Sequence, residues 1–347
     1  MADTALAGLD LAALAGYFEA NGVAVEGELR ADLISGGRSN LTFRVSDNSS
    51  RYVLRRPPLA GLTPSAHDVA REFKVAAALQ GTPVPVARTV VLCEDNSVMG
   101  APFAVVENVE GRVIRTEKEL ETLSDAEIDL CVDELVRVLA ALHQVDHRAV
   151  GLESFGKPSG FVSRQVKIWN GQWERVKADE IPDVDRLGAL LADRIPERDV
   201  ATIVHGDYRI DNTILSASDA GKVEAVLDWE MSTLGDPLTD VALMCVYRNP
   251  SFGMVLDEAA AWASERIPTA DDLAERYARA TGSDLEHWDF FMGLANFKLA
   301  VIAAGIDHRR RAAEEQGGAA PVANADQVAA AVPIFAAAGL AALNEGK

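Results

Sequence analysis

The chain has 347 residues, 48 % of them hydrophobic, with a mean hydropathy of +0.03 and a formal net charge of −20. It can bury a sizeable core, which excludes a disordered chain, and its negative charge excludes an electrostatic binder of nucleic acid. Three scattered cysteines, Cys93, Cys131 and Cys245, are too few for a disulfide framework or a zinc site and fit a reducing cytoplasm.

In chain order, residues 1–22 are apolar but carry Asp3, Asp10 and Glu19 and no basic segment. They predict an amphipathic helix and not a signal peptide. Residues 29–56 alternate as strands do, in two β-rich segments either side of the turn "SDNSS" (46–50). "DVAREFKVAAAL" (68–79) has helical spacing without Gly or Pro. "VPVARTVVLCED" and "APFAVVENVEG" then predict two strands joined by a turn at 94–100. After Gly111 the pattern is helical, and Ser124 with Glu127 forms a capping box at the start of a helix over 123–145. Residues 172–195 and 255–307 are also mostly helical, and 314–326 predict a loop. "VAAAVPIFAAAGLAAL" (328–343) is interrupted by Pro333 and Gly339 and is shorter than a bilayer span requires. It predicts a buried helix and no membrane partner. We expect an α+β protein of two lobes, a β-rich 1–107 and a mostly helical 108–347.

The only clear strands of the second lobe surround "IVHGDYRIDNTIL" (203–215) and "VEAVLDWE" (223–230). Asp207, Asn212 and Asp228 would stand at the ends of short strands, and "SASDAGK" (216–222) predicts a turn that folds two of those strands together. Mg²⁺ prefers hard oxygen ligands and takes part of its shell from phosphates and water. One Asp and one Asn suit it, and the second Asp can orient a hydroxyl nucleophile. A polar loop whose Asp merely caps a turn is the plainer alternative.

At these residues the chain resembles the aminoglycoside phosphotransferase and choline kinase-like family of protein-kinase-like enzymes. "HGDYRIDN" (205–212), "LDWE" (227–230) and "DPLTDVA" (236–242) carry the resemblance, and "LAALHQVD" (139–146) is similar to the helix before the core. In this form the motifs also look like the kinase-like domains fused to acyl-CoA dehydrogenases. The resemblance implies a two-lobed protein-kinase-like fold that binds ATP or GTP with Mg²⁺ and phosphorylates a small-molecule hydroxyl. Asp207 would be catalytic, Asn212 and Asp228 would hold metal, and His205 would brace the loop. Arg209 stands where protein kinases place a phosphoryl-steadying Lys, or is a surface charge. Asp240 would brace the loop backbone, Asp236 would cap a turn, and the tryptophans at 169, 173, 262 and 288 would be core.

For the nucleotide, "LISGGRSNLTFRV" (33–45) resembles the phosphate-cradling loop, with Ser39 and Asn40 in it. The family's strand Lys is replaced by Arg55, or else Arg56 points inward; Glu72 would be its helix partner. The backbone of Glu107 and Val109 would meet the adenine edge. Residues 1–107 hold 12 acids against 9 bases, and residues 108–347 hold 41 against 24. That surplus is compatible with a cationic acceptor such as an aminoglycoside, or with plain solubility. A hydroxyacyl compound is the alternative acceptor. Arg in place of Lys also leaves open a pseudokinase that senses nucleotide. Monomer and homodimer are both compatible with the sequence.

Overall fold

The computed structural model describes residues 6–34, 40–58, 68–178, 180–256, 258–315 and 325–345. Gly36, Gly37 and Ser39 of the proposed phosphate loop lie outside the described residues. The chain divides into two compact units: residues 1–111 with 224–232, and residues 112–223 with 233–347. A segment of "VEAVLDWEM" therefore packs with the N-terminal unit, although it is distant from it in sequence.

The N-terminal unit is a five-stranded antiparallel sheet in the order β1-β2-β3-β5-β4, with β1 Arg30–Leu33, β2 Leu41–Ser46, β3 Arg51–Arg56, β4 Thr89–Cys93 and β5 Phe103–Glu107. The first β-rich segment holds two of these strands, β1 and β2. Asp47 fixes the β2–β3 turn by accepting the N–H groups of Ser49 (2.8 Å) and Ser50 (2.6 Å). Helix α1, Leu11–Ala20, lays Leu14 and Phe18 on a core of Phe43, Val45, Tyr52, Leu54, Phe103 and Val105. Burying one such side chain stabilises by about 2 kcal/mol. Strand alternation puts Tyr52, Leu54 and Arg56 on that face and leaves Val53 and Arg55 on the other. Helix α2, Val69–Leu79, is capped by Asp68 and carries Glu72 in its first turn. The turn predicted at 94–100 contains a short helix, Asn96–Met99.

In the C-terminal unit the capping box of Ser124 and Glu127 opens the helix Asp125–Gln144. Helices Phe161–Val176 and Pro182–Asp193 are separate, because Pro182 takes the first position of the second one. Residues 255–307 divide further, into the end of Phe252–Leu256, Ala270–Thr281 and most of Trp288–Glu315. The apolar C-terminal run is one continuous helix, Ala325–Glu345, through both Pro333 and Gly339. Val332, Phe335 and Ala336 are buried beside Pro333, and this packing offsets the single backbone bond that a proline removes. Gly339 is needed for close approach: a Cβ there would lie 2.5 Å from Leu187 Cδ2 and 3.1 Å from Asn296 Cβ. The helices Trp288–Glu315 and Gln327–Asn344 are long and apolar enough to cross a membrane, and the first has 72 % of its apolar window buried within the protein.

Candidate active site

In the C-terminal unit, β6 Thr202–Val204 pairs antiparallel with β9 Thr233–Gly235 and delivers the chain to His205. Gly206 adopts φ 84°, a left-handed turn that glycine makes without strain. The loop then passes through one 3₁₀ turn, Ile210–Asn212, into β7 Thr213–Leu215. Ile210 and Leu215 are fully buried, and the Tyr208 hydroxyl donates to Leu135 O at 2.9 Å. The turn "SASDAGK" is closed by Ser216 N–H to Lys222 O at 2.9 Å, and β8 Val223–Val226 follows.

Asp240 organises the start of the loop. Buried in the first turn of the helix Leu238–Val246, it accepts His205 N–H at 2.6 Å and Gly206 N–H at 2.7 Å, and lies 3.2 Å from His143 Nε2. Burial raises its carboxyl, but the hydrogen bond from His143 and the backbone donors outweigh this and hold it below the usual range. His205 is wholly buried, and its Nδ1 accepts the Asp207 N–H at 3.2 Å. Both residues brace the loop. Asp236 accepts Leu238 N–H at 3.0 Å and pairs with Arg198 at 2.9 Å, as a helix-start residue does.

Asp207 carries the site's negative charge amid donors. Its Oδ2 accepts Asn212 Nδ2 at 3.0 Å, and the same nitrogen reaches Asp207 O at 2.8 Å. Its Oδ1 accepts the Tyr247 hydroxyl. Arg209 adds Nε to Oδ1 at 3.3 Å and Nη2 to Oδ2 at 3.5 Å, while its Nη1 pairs with Asp211. Burial alone would push the Asp207 carboxyl up; Arg209, the Tyr247 hydroxyl, Lys298 and His205 instead hold it below the ordinary value. Burial pushes Asp211 up to about 6, only partly offset by Arg209.

Arg209 is not a surface charge. Its side chain is 12 % exposed, with its guanidinium carbon 5.4 Å from the Tyr247 ring centroid and 5.2 Å from that of Phe252. Lys298 Nζ donates to Gly206 O at 3.0 Å and lies 5.7 Å from the Trp169 ring. Trp173 and Trp262 are core, but Trp169 and Trp288 are only partly buried.

In the N-terminal unit, Arg55 and not Arg56 meets Glu72. Arg55 Nη1 lies 2.7 Å from Glu72 Oε2, and Nη2 lies 3.4 Å from Asp228 Oδ1. Arg56 is buried on the opposite face, on the carbonyls of Gly8 and Met99. Asn40 Nδ2 donates to Glu72 Oε1 at 3.1 Å. Burial, against the pull of Arg55, pushes Glu72 up to about 7. Asp228 holds φ 62° and ψ 57°, a left-handed backbone that costs a non-glycine residue about 1–2 kcal/mol and that Asp tolerates better than most. Glu107 ends β5, with its N–H on Arg88 O at 2.8 Å and its carboxylate on Arg88. Val109 follows Asn108, whose N–H reaches Arg51 O at 2.9 Å.

Tyr247, Asp211, Lys298 and Trp169 were not among the residues expected at the site. Two signals for them were present. Tyr247 stands seven positions, two helical turns, after Asp240 and so shares its face. Lys298 is a lone charge in the apolar run "GLANFKLAVIAAG", where an unpaired ammonium would be costly.

A five-stranded sheet unit, a mostly helical unit and a braced His-Gly-Asp loop define a kinase-like small-molecule phosphotransferase. Residues 30–291 match the phosphotransferase enzyme family, and the chain belongs to that family. Human acyl-CoA dehydrogenase family member 11 is 36 % identical over 277 residues, which are 79 % of this chain and 35 % of that protein. Mouse acyl-CoA dehydrogenase family member 10 is 36 % identical over 279 residues, 79 % of this chain and 26 % of that protein. The chain thus spans about a third or less of the length of these relatives. A Ralstonia eutropha protein provisionally described as an aminoglycoside phosphotransferase superposes with TM-score 0.82 at 34 % identity, over 97 % of this chain and 98 % of that one. Aminoglycoside phosphotransferase APH(4)-Ia, in ternary complex with ADP and hygromycin B, shares the fold at TM-score 0.59 and 15 % identity, covering 94 % and 98 % of the two chains.

Proposed function

We propose that this chain transfers the γ-phosphate of ATP or GTP, with Mg²⁺, to a hydroxyl group of a small molecule. The observation that carries this reading is the environment of Asp207. The loop that holds it is anchored at both ends in the core, and its carboxylate is kept ionised by surrounding donors. An ionised Asp can orient an attacking hydroxyl and receive its proton. We assign metal-ligand roles to Asn212 in the C-terminal unit and Asp228 in the N-terminal unit. The donor types fit: Asn212 turns its Nδ2 toward Asp207, which directs the amide oxygen elsewhere, and Asp228 offers a partly exposed carboxylate. Bound Mg²⁺ would neutralise charge on the phosphates. Arg55, held by Glu72 and Asn40, would pair with phosphate oxygens, and the backbone at Glu107 and Val109 would meet the base.

A hydroxyacyl acceptor is favoured over an aminoglycoside by the charges that face Asp207 within its own unit. Arg209 and Lys298 are cations, and Trp169 offers an apolar face under Lys298. Asp207 and Asp211 balance these two cations, so the immediate site holds no surplus of negative charge to recruit a polycation. The kinship with acyl-CoA dehydrogenase family members supports the same reading. The pseudokinase alternative is weakened by the formed Arg55–Glu72 pair.

The test is nucleotide turnover with Mg²⁺ against a panel of hydroxyacyl compounds and aminoglycosides, with phosphorylated product identified by mass. Turnover stimulated by a hydroxyacyl compound, and lost in Asp207→Ala while nucleotide still binds, is expected. Stimulation by aminoglycosides alone would reverse the acceptor assignment, and undiminished activity in Asp207→Ala would sink the catalytic one.

A further inference from the structure

An ionised carboxylate has about four lone-pair directions, and at Asp207 four contacts take them. Oδ1 receives the Tyr247 hydroxyl and Arg209 Nε at 3.3 Å; Oδ2 receives Asn212 Nδ2 at 3.0 Å and Arg209 Nη2 at 3.5 Å. An incoming hydroxyl must therefore replace one donor. The donors are unequal. Asn212 is held twice, through Asp207 O as well. Tyr247 is fixed by its helix and by the Phe252 ring, with centroids 4.4 Å apart. Arg209 Nη2 makes the longest of the four contacts, and Arg209 keeps Asp211 if it lets go.

The origin of Tyr247 adds a second argument. It ends the helix Leu238–Val246, whose first turn carries Asp240. One rigid helix thus holds the loop backbone through Asp240 and the Asp207 carboxylate through Tyr247.

Resting on the kinase reading of Asp207, we propose that Tyr247 is a positioning residue for phosphoryl transfer. Its hydroxyl fixes Oδ1 of Asp207, so that the acceptor hydroxyl is received at Oδ2 in the place Arg209 Nη2 occupies. Tyr247 does not touch the acceptor in this arrangement; it sets the direction of the carboxylate that does.

The test uses Tyr247→Phe, which keeps the ring against Phe252 and Arg209 and removes only the hydroxyl. With Mg²⁺ and ATP, and water as the acceptor, kcat is expected to fall about tenfold, as loss of one hydrogen bond to a charged group implies. KM for ATP should be unchanged, and kcat is counted per folded molecule, because loss of the same hydrogen bond also lowers the melting temperature. A purely structural role would lower the melting temperature and leave kcat per folded molecule intact, which would overturn the proposal. The contact is read separately by placing 3-fluorotyrosine at position 247: its ¹⁹F resonance should move in Asp207→Asn. An unmoved resonance overturns the proposal whatever the activity. If the wild type shows no Mg²⁺-dependent turnover with water or with any of the hydroxyacyl compounds and aminoglycosides tested above, the kinase reading fails and takes this proposal with it. If the wild type turns over ATP and Y247F matches it, this proposal fails alone.

Discussion

The carboxylate of Asp240 accepts the backbone N–H of His205 at 2.6 Å, across 35 residues of sequence. It also accepts Gly206 N–H, so one buried side chain satisfies two donors at the turn that presents Asp207. Asp240→Ala would leave both donors, and His143 Nε2, without that partner. Leaving such groups unsatisfied costs about 3 kcal/mol. Urea unfolding should show a loss of that size, together with a fall in any Asp207-dependent activity; a loss below about 1 kcal/mol would contradict the brace.

The stability of the protein should peak at mildly acidic pH. Asp207 and Asp240 have folded values below the ordinary 3.8. Their contribution is complete above that value and is lost as pH falls through the folded ones. Glu72 has the opposite sign: raised from 4.5 to about 7, it contributes fully below 4.5 and loses that contribution as pH rises through about 7. Melting temperatures of the nucleotide-free protein between pH 2 and 9 should decline below 3.8, through Asp207 and Asp240, and again as pH rises toward and through about 7, through Glu72. Glu72→Gln should flatten the alkaline decline, although it also weakens the pairing with Arg55. An alkaline slope unchanged in E72Q would remove Glu72 as its source.

Two helical glycines should respond oppositely to alanine. At Gly339 a Cβ would meet Leu187 Cδ2 at 2.5 Å and Gly293 O at 3.3 Å, so Gly339→Ala should destabilise by about 1–3 kcal/mol. At Gly171, inside the helix Phe161–Val176, a Cβ would meet nothing within 4 Å. Gly171→Ala should therefore stabilise by about 0.5–1 kcal/mol through helix propensity alone. Thermal denaturation of the two variants decides the matter, and equal effects would refute the close packing at Gly339.

Arg55 should matter through geometry as well as charge. Its two terminal nitrogens contact Glu72 and Asp228 separately, a fork that the single ammonium of Lys cannot reproduce. Arg55→Lys should keep the contact to Glu72 and weaken nucleotide binding about tenfold or less, whereas Arg55→Met should weaken it further. Calorimetric titration with ATP and Mg²⁺ would show this order, and equal binding in all three proteins would dismiss Arg55 as a phosphate ligand.

The local rules of the chain were legible in its residues. Alternation exposed the strands, the Ser124 and Glu127 box marked its helix, and the five-residue gap between Asp207 and Asn212 suggested a loop with paired functions. Those signals depend on neighbours in sequence, where backbone geometry fixes distance. The place of residues 224–232 was not legible, because they join the N-terminal unit through packing alone. Nor was the choice between Arg55 and Arg56 settled by alternation, since either face could have been the inner one until α1 covered one and α2 brought Glu72 to the other. Pro333 and Gly339 looked like breaks, yet burial on the Trp288–Glu315 helix holds the C-terminal helix continuous. Sequence by itself determined which chemistry the His-Gly-Asp loop could carry. Only the tertiary structure decided what surrounds Asp207, because Tyr247 and Lys298 reach it from 40 and 91 residues away, and contacts at that separation follow from helix packing and not from local spacing.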